Sequence, residues 1–250
     1  MFIGHYGPSF AAKAAKQRIP LWVLFVAVQF LDVFWSLFVL LGIEKVRIAP
    51  GITAVNPLDL YYMPYTHGLF TAMLWSVLAA VAYRAFRKQD GWQSAGIVGA
   101  AVFSHWVLDF LVHRPDLPLY SDRLKVGLGL WNYSVAASAL EVVFLFGGMY
   151  LYLRATKPVA RGGRYGFLVL GAVMLAVQAV VFFGPPPSSD RAAAITALFA
   201  YGLFAAIAFW LQKKRTPKAV RPGSILLPAQ VSAAMPDASS RALPRPLPLP

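Results

Sequence analysis

Six runs of about 20 apolar residues dominate this chain and leave it few folds to choose from. They cover residues 21–43, 67–86, 94–113, 130–153, 165–184 and 191–212, each long enough to cross a hydrocarbon core about 30 Å thick. Inside lipid every backbone N–H and C=O must find its partner within the protein, so a run of this length folds as a helix. A mean hydropathy of +0.59 with 13% charged residues excludes an ordinary soluble domain. The expected fold is all-α, a polytopic membrane helix bundle of about six transmembrane helices. Residues 1–213 make up the transmembrane domain, and residues 214–250, ending RPLPLP, a disordered proline-rich tail.

Lysine and arginine divide unevenly between the two sides of such a bundle. One side, holding the N-terminal segment, the second and fourth loops and the tail, carries 17 of them; the other carries 6. The positive-inside rule then orients both termini toward the cytoplasm. The net charge of +13 is thus a topology signal with some attraction for anionic lipid, and nucleic acid is not an expected partner. The first 18 residues lack the basic n-region and small-residue cleavage site of a signal peptide.

The apolar runs are not clean. Of ten acidic residues and four histidines, nearly half sit in or at the ends of these segments: Asp32, His67, His105, Asp109, His113 and Glu141. A carboxylate at bilayer depth costs at least about 2.5–3.5 kcal/mol unless paired or metal-bound, so these residues mark a functional site. Depths agree. Counting 1.5 Å per residue, Asp32 and His105 lie about 17 Å above the cytoplasmic end, Asp109 a turn higher, and Glu141 about 17 Å below the outer end. The spacing of His105, Asp109 and His113 is i, i+4, i+8, which stacks them on one helical face. Such a face offers two metal ligands, or one ligand and a general base, or it lines the interior through hydrogen bonds alone. His113 is expected nearer the mouth, with a lesser role. The chain has no cysteine, so any metal must be held by imidazole and carboxylate.

Other residues leave alternatives open. Residues 8–18, after Pro8, form either a half-helix that lifts His5 roughly 15–20 Å into the bundle or an amphipathic surface helix. Ala11, Ala12, Ala14 and Ala15 would let a half-helix pack closely. His67 opens a helix and is either a ligand or a cap. Asp59 is a lid carboxylate or a turn cap, and Arg114 and Asp116 either bind an anionic substrate or pair with each other. The last two helices carry almost no internal polar groups and read as scaffold.

The blocks GHYGPSFAAK, QFLDVFW, GIEKVRIAPG, TAVNPLDL, PYTHGLF, FSHWVLDFLVHRPDLPL and VGLGLWNY resemble, in order, a bacterial family of polytopic inner-membrane proteins described as membrane-bound metal-dependent hydrolases. The resemblance covers about residues 3–213. It is distantly similar to the phospholipase C and P1 nuclease group, whose zinc ions are held by His and Asp/Glu from several helices. By that resemblance His5, His67, His105 and Asp109 match candidate ligand positions, with Asp32 and Glu141 as further carboxylates. It implies a divalent metal, zinc by its donor set, in a hydrolase of the bacterial cytoplasmic (inner) membrane acting on a lipid-linked ester or phosphodiester. Asp109 or Glu141 would be the general base if not a ligand, and Asp32 a further metal ligand. The competing class is a small proton- or metal-coupled transporter using the same His/Asp/Glu groups as a relay. Reporter tags at both termini should therefore report cytoplasmic and a tag within residues 116–125 should report outside; the reverse pattern would contradict the charge count.

Overall fold

In the computed structural model, which describes residues 1–218, the chain is an all-α bundle of eight helices with three small two-stranded antiparallel sheets. The helices are α1 (Tyr6–Ala15), α2 (Leu21–Val28), α3 (Phe30–Leu40), α4 (Leu69–Phe86), α5 (Gly91–Val112), α6 (Ser134–Ala155), α7 (Arg161–Phe183) and α8 (Asp190–Gln212). Five of them are long and apolar enough to cross a membrane, and α2 with α3 makes a bent sixth span. The chain is therefore a multi-pass membrane protein. The segment containing α5 is 56% buried, against 17–28% for the other four, so α5 is the central helix around which the bundle is built.

The first expected span, residues 21–43, is not one helix. It bends by 54° between α2 and α3, at Gln29. No proline or glycine stands there. Instead His105 Nδ1 lies 2.7 Å from the Val28 carbonyl, the group that would accept from Asp32 N in a continuous helix. A side chain inserted into the i→i−4 ladder is a recognised cause of such a kink. Gln29, fully buried, donates its amide to Phe2 O at 3.2 Å and ties the break to the N-terminal segment.

That segment adopts the half-helix alternative, shifted slightly from the expected residues 8–18. A 3-10 turn, Ile3–His5, leads into α1, which packs among α2, α5 and α6 with His5, Tyr6, Gly7 and Phe10 buried. The close approach is not made by the alanines. It is made by Gly7 and Gly148 of α6: a Cβ on Gly148 would stand 2.1 Å from Gly7 O, and one on Gly7 2.2 Å from Phe144 O. The C-terminal end of α1 meets α5 through Lys16 and Gln93, and Leu21 N donates to Gln212 Oε1 of α8 at 2.7 Å, so these ends share one face. Between that face and His5 the interior is filled by Phe10, Phe25, Tyr152 and Phe167, all buried.

At the opposite end the two long loops are ordered hairpins. Strands β1 (Lys45–Ile48) and β2 (Leu58–Tyr62) pair antiparallel, as do β3 (Leu117–Tyr120) and β4 (Arg123–Val126). Strands β5 (Thr156–Pro158) and β6 (Arg215–Pro217) pair on the first face. The expected tail therefore begins later than residue 214; its remainder, residues 219–250, lies outside the described residues. Replacing Gly148 with Leu should unseat α1, costing on the order of 1–3 kcal/mol and lowering the thermal midpoint of the detergent-solubilised protein. An unchanged midpoint would mean α1 does not dock there.

Candidate metal centre

Asp109, one turn before the end of α5, is 1% exposed and sits where α3, α5, the N-terminal 3-10 turn and the turn before α4 converge. All four histidines of the chain turn their Nε2 atoms toward it. His5 Nε2 lies 3.0 Å from Asp109 Oδ1. On the other oxygen, Oδ2, His105 Nε2 lies at 3.0 Å, His67 Nε2 at 3.6 Å and His113 Nε2 at 3.6 Å. Asp32 enters from α3, its Oδ1 3.3 Å from His67 Nε2 and 3.5 Å from His105 Nε2. The Met1 amine also approaches Asp109 Oδ1, at 2.5 Å.

The opposite nitrogen of three rings shows what these Nε2 atoms carry. His105 Nδ1 faces the Val28 carbonyl, which can only accept, so Nδ1 holds the proton. His113 Nδ1 donates to Asp116 Oδ1 at 2.8 Å. For His67 the logic passes through Thr66. The Thr66 hydroxyl gives its one proton to Glu44 Oε2 at 2.6 Å, so it accepts from His67 Nδ1 at 2.8 Å. In the neutral rings, three Nε2 lone pairs therefore face two carboxylates with no proton between them. His105 Nε2 has no hydrogen-bond partner although Asp109 Oδ2 is 3.0 Å away. Acceptors packed this way repel one another unless a proton or a metal ion lies among them; the Met1 ammonium meets Asp109 Oδ1 and leaves the Oδ2 side, which faces three Nε2 atoms, uncompensated.

The spacing suits a metal ion. A tetrahedral zinc with ligands at about 2.0–2.1 Å has ligand–ligand edges of about 3.3–3.4 Å. Four of the six edges of such a tetrahedron, those joining His67 and His105 to Asp32 and Asp109, measure 3.3, 3.6, 3.5 and 3.0 Å, but Asp32 and Asp109 do not fall in one donor set. Two sets of donor atoms lie within 4.8 Å of one another, His5 with His105 and Asp109, and Asp32 with His67 and His105. The buried His/Asp cluster can thus hold a metal ion, and its Nδ1–H groups are already committed to a carbonyl, a hydroxyl and a carboxylate, as ligating imidazoles require.

Around the cluster, Glu44 holds the turn that carries His67. Its Oε1 accepts from Tyr65 N at 2.8 Å and Thr66 N at 2.9 Å. Burial pushes the Glu44 carboxyl above the usual carboxylate range, and the Thr66 hydroxyl and the two amides oppose that by stabilising the ionised form. His67 is not a helix cap: Gly68 occupies that position, and Trp106 Nε1 donates to the His67 carbonyl at 2.9 Å. Asp32 Oδ2 accepts from Tyr201 of α8 at 2.7 Å, and Gln178 of α7 accepts from Ile3 N at 3.3 Å. Those two helices therefore supply polar groups to the site as well as scaffold.

Glu141 stands apart. Its oxygens accept from Phe2 N at 2.9 Å and Gly4 N at 2.6 Å, and it belongs to neither donor set. Its position braces the N-terminal segment that delivers His5, and a role as general base is not favoured there. His113, by contrast, is more central than its place in the sequence suggests, 3% exposed and packed at a tilt against Trp131 with ring centroids 4.2 Å apart. Toward the surface, Asp59 joins Arg47 of its own hairpin to Arg114, and Arg114 pairs with Asp116 at 3.2 Å. Both arginines are thus occupied by carboxylates, and the two hairpins are clasped over His113.

No family model, curated protein or solved structure matches the chain.

Replacing Thr66 with Val removes the acceptor that orients His67 while preserving shape. Zinc affinity, measured by competition with a chromogenic chelator, should fall about 10–100-fold with helicity unchanged. Unaltered affinity would remove His67 from the ligand set.

Proposed function

We propose that this protein is a membrane-embedded, metal-dependent hydrolase of the bacterial cytoplasmic membrane, acting on a lipid-linked ester or phosphodiester near the outer face. The observation that carries this reading is the convergence of four imidazole Nε2 atoms on one buried carboxylate, with a second carboxylate beside them. An imidazole and carboxylate donor set suits zinc. His105 belongs to both donor sets and would hold the ion either with His67 and Asp32 or with His5 and Asp109, His113 lying beside it. A divalent metal there supplies Lewis-acid polarisation of the ester oxygen and a bound water with pKa near 7.

The chain's own residues support the remaining roles. Asp32 is the only member of the cluster with appreciable exposure, its side chain 16% accessible against 0–3% for the others, so a substrate meets the site at Asp32. Its Oδ2, facing away from the histidines and held by Tyr201, is the carboxylate oxygen free to take a proton from an attacking water. The hairpins clasped by Asp59 and Arg114 keep bulk water from the His113 side.

Charge supports the orientation. Among the described residues, the face carrying the end of α1 holds 14 lysines and arginines and one acid, and the hairpin face six and five. The positive-inside rule then directs the hairpins outward. The rival reading, a permease, needs a polar route to the basic face, and the Phe10, Phe25, Tyr152 and Phe167 packing fills that half of the bundle.

Elemental analysis of the detergent-purified protein should find zinc or another divalent ion, and His105→Ala should lose it while staying helical. Hydrolysis of short-chain phosphodiester and carboxyl-ester lipids should fall by more than about tenfold in the same variant. Metal-free protein would overturn the centre. Metal-loaded protein that moves ions or protons across vesicles without hydrolysing either lipid would favour the permease.

A further inference from the structure

The basic face is not uniformly charged. Its cations concentrate where the ends of α6, α7 and α8 meet. Residues 150–165 and 209–218 carry eight lysines and arginines and no acid. No aspartate or glutamate occurs anywhere from 142 to 189 or from 191 to 218. Elsewhere on the same face Arg87 has a carboxylate partner, Asp90 at 3.2 Å. At this corner, among the described residues, no cation has one.

The corner is held together by the protein and not by chance proximity of flexible side chains. Arg215 is its tether. It donates to Thr156 Oγ1 at 2.7 Å, Thr156 O at 2.9 Å, Leu153 O at 3.3 Å and Gly163 O at 2.5 Å, joining the end of α8 to the end of α6 and the start of α7. The β5–β6 pairing reinforces that join. Seven cations remain around it, none paired with a carboxylate among the described residues, and of these only Arg154 finds a side-chain hydrogen bond there, to the neutral Tyr150 hydroxyl at 3.0 Å.

Four of those cations lie over aromatic rings that face the lipid. Arg154 stands 5.6 Å from the Tyr150 ring centre, Arg164 5.5 Å from Tyr165, Lys213 4.0 Å from Phe209 and Lys214 4.9 Å from Trp210. All four rings are about half exposed on the outside of the bundle. Tyr and Trp rings at helix ends sit at headgroup depth, and here Tyr150, Tyr165 and Trp210 mark that level, with Phe209 next to Trp210. A cation resting on each ring is therefore held at the level of the lipid phosphates and directed outward from the bundle.

We propose that this corner is a binding site for acidic phospholipid headgroups of the leaflet on its side of the membrane. Like charges gathered without counter-charge repel one another, and the nearest abundant anions at that depth are lipid phosphates. The cation-on-ring pairs set the depth, and the exposed Lys157 and Arg161 add charge at the water boundary. Nothing in this inference depends on the metal centre, which lies toward the other end of the bundle.

The test uses the full chain in bilayers of phosphatidylcholine, with spin-labelled phosphatidylglycerol and spin-labelled phosphatidylcholine as probes of the lipid contacting the protein. One basic residue near an anionic headgroup is worth about fivefold in affinity. The protein should prefer the phosphatidylglycerol label at least about threefold, and about 0.5 M salt should reduce that preference. The combined variant R161Q/R164Q/K213Q/K214Q should bring the ratio near unity while helicity and metal content stay at wild-type levels. Arg215 is left in place because it holds the fold. The control R84Q/K88Q, on the same face away from the corner, should keep the preference. No preference in the wild type, equal loss in the control, retention in the combined variant, or capture of a soluble polyanion without lipid selectivity would each overturn the proposal.

Discussion

The Asp109 carboxylate is the contact on which this bundle turns. At bilayer depth, removing the partners of a buried charge costs on the order of 3–5 kcal/mol, so every element that reaches Asp109 is held there by more than apolar packing. His105 comes from the same helix, His113 from its end, His67 from the turn before α4 and His5 from the N-terminal segment. Asp32 joins them from α3. Three of the six spans thus reach or adjoin one group, through α3, α5 and the turn before α4, and the bundle's less polar members, α7 and α8, are drawn in through Gln178 and Tyr201.

The same cluster explains the least regular features of the fold. The kink between α2 and α3 exists because His105 takes the Val28 carbonyl, and that bond also fixes which ring nitrogen remains free for a cation. The 3-10 turn before α1 is braced by Glu141, so a residue that looks like a catalytic carboxylate in sequence instead positions a histidine. Glu44 does the equivalent for His67 through the Thr66 hydroxyl. Carboxylates in this protein divide into two that face the histidine Nε2 atoms and several that orient the chain segments bearing them. Hydrogen-bond direction separates the two kinds.

Charge organises the rest. The hairpin face balances its cations with carboxylates, and the Arg47–Asp59–Arg114–Asp116 series clasps the hairpins together. The other face is almost purely cationic, and its densest corner is assembled by a single arginine. One end of the bundle is thus closed by internal ion pairs, whereas the other leaves its charge to whatever lies at the membrane surface.

By itself the sequence determined the class of fold and the members of the centre that announce themselves by cost. Apolar runs of spanning length leave the helical bundle as the economical solution, and an ionisable residue inside one stands out because lipid penalises it. Asp32, His67, His105 and Asp109 were legible for that reason, and His113 by its place on the same helical face. What only the tertiary structure decided is direction and partnership. Tyr201 lies in a run whose pattern says scaffold, Thr66 and Glu44 lie in a loop, and Glu141 shares its chemistry and depth with the true members of the cluster. The bend at Gln29 has no proline or glycine to betray it. Each depends on a hydrogen bond between residues far apart in the chain, Val28 with His105, Tyr201 with Asp32, Glu141 with Gly4, and residue type and spacing carry no record of which distant acceptor a donor will find once the helices pack.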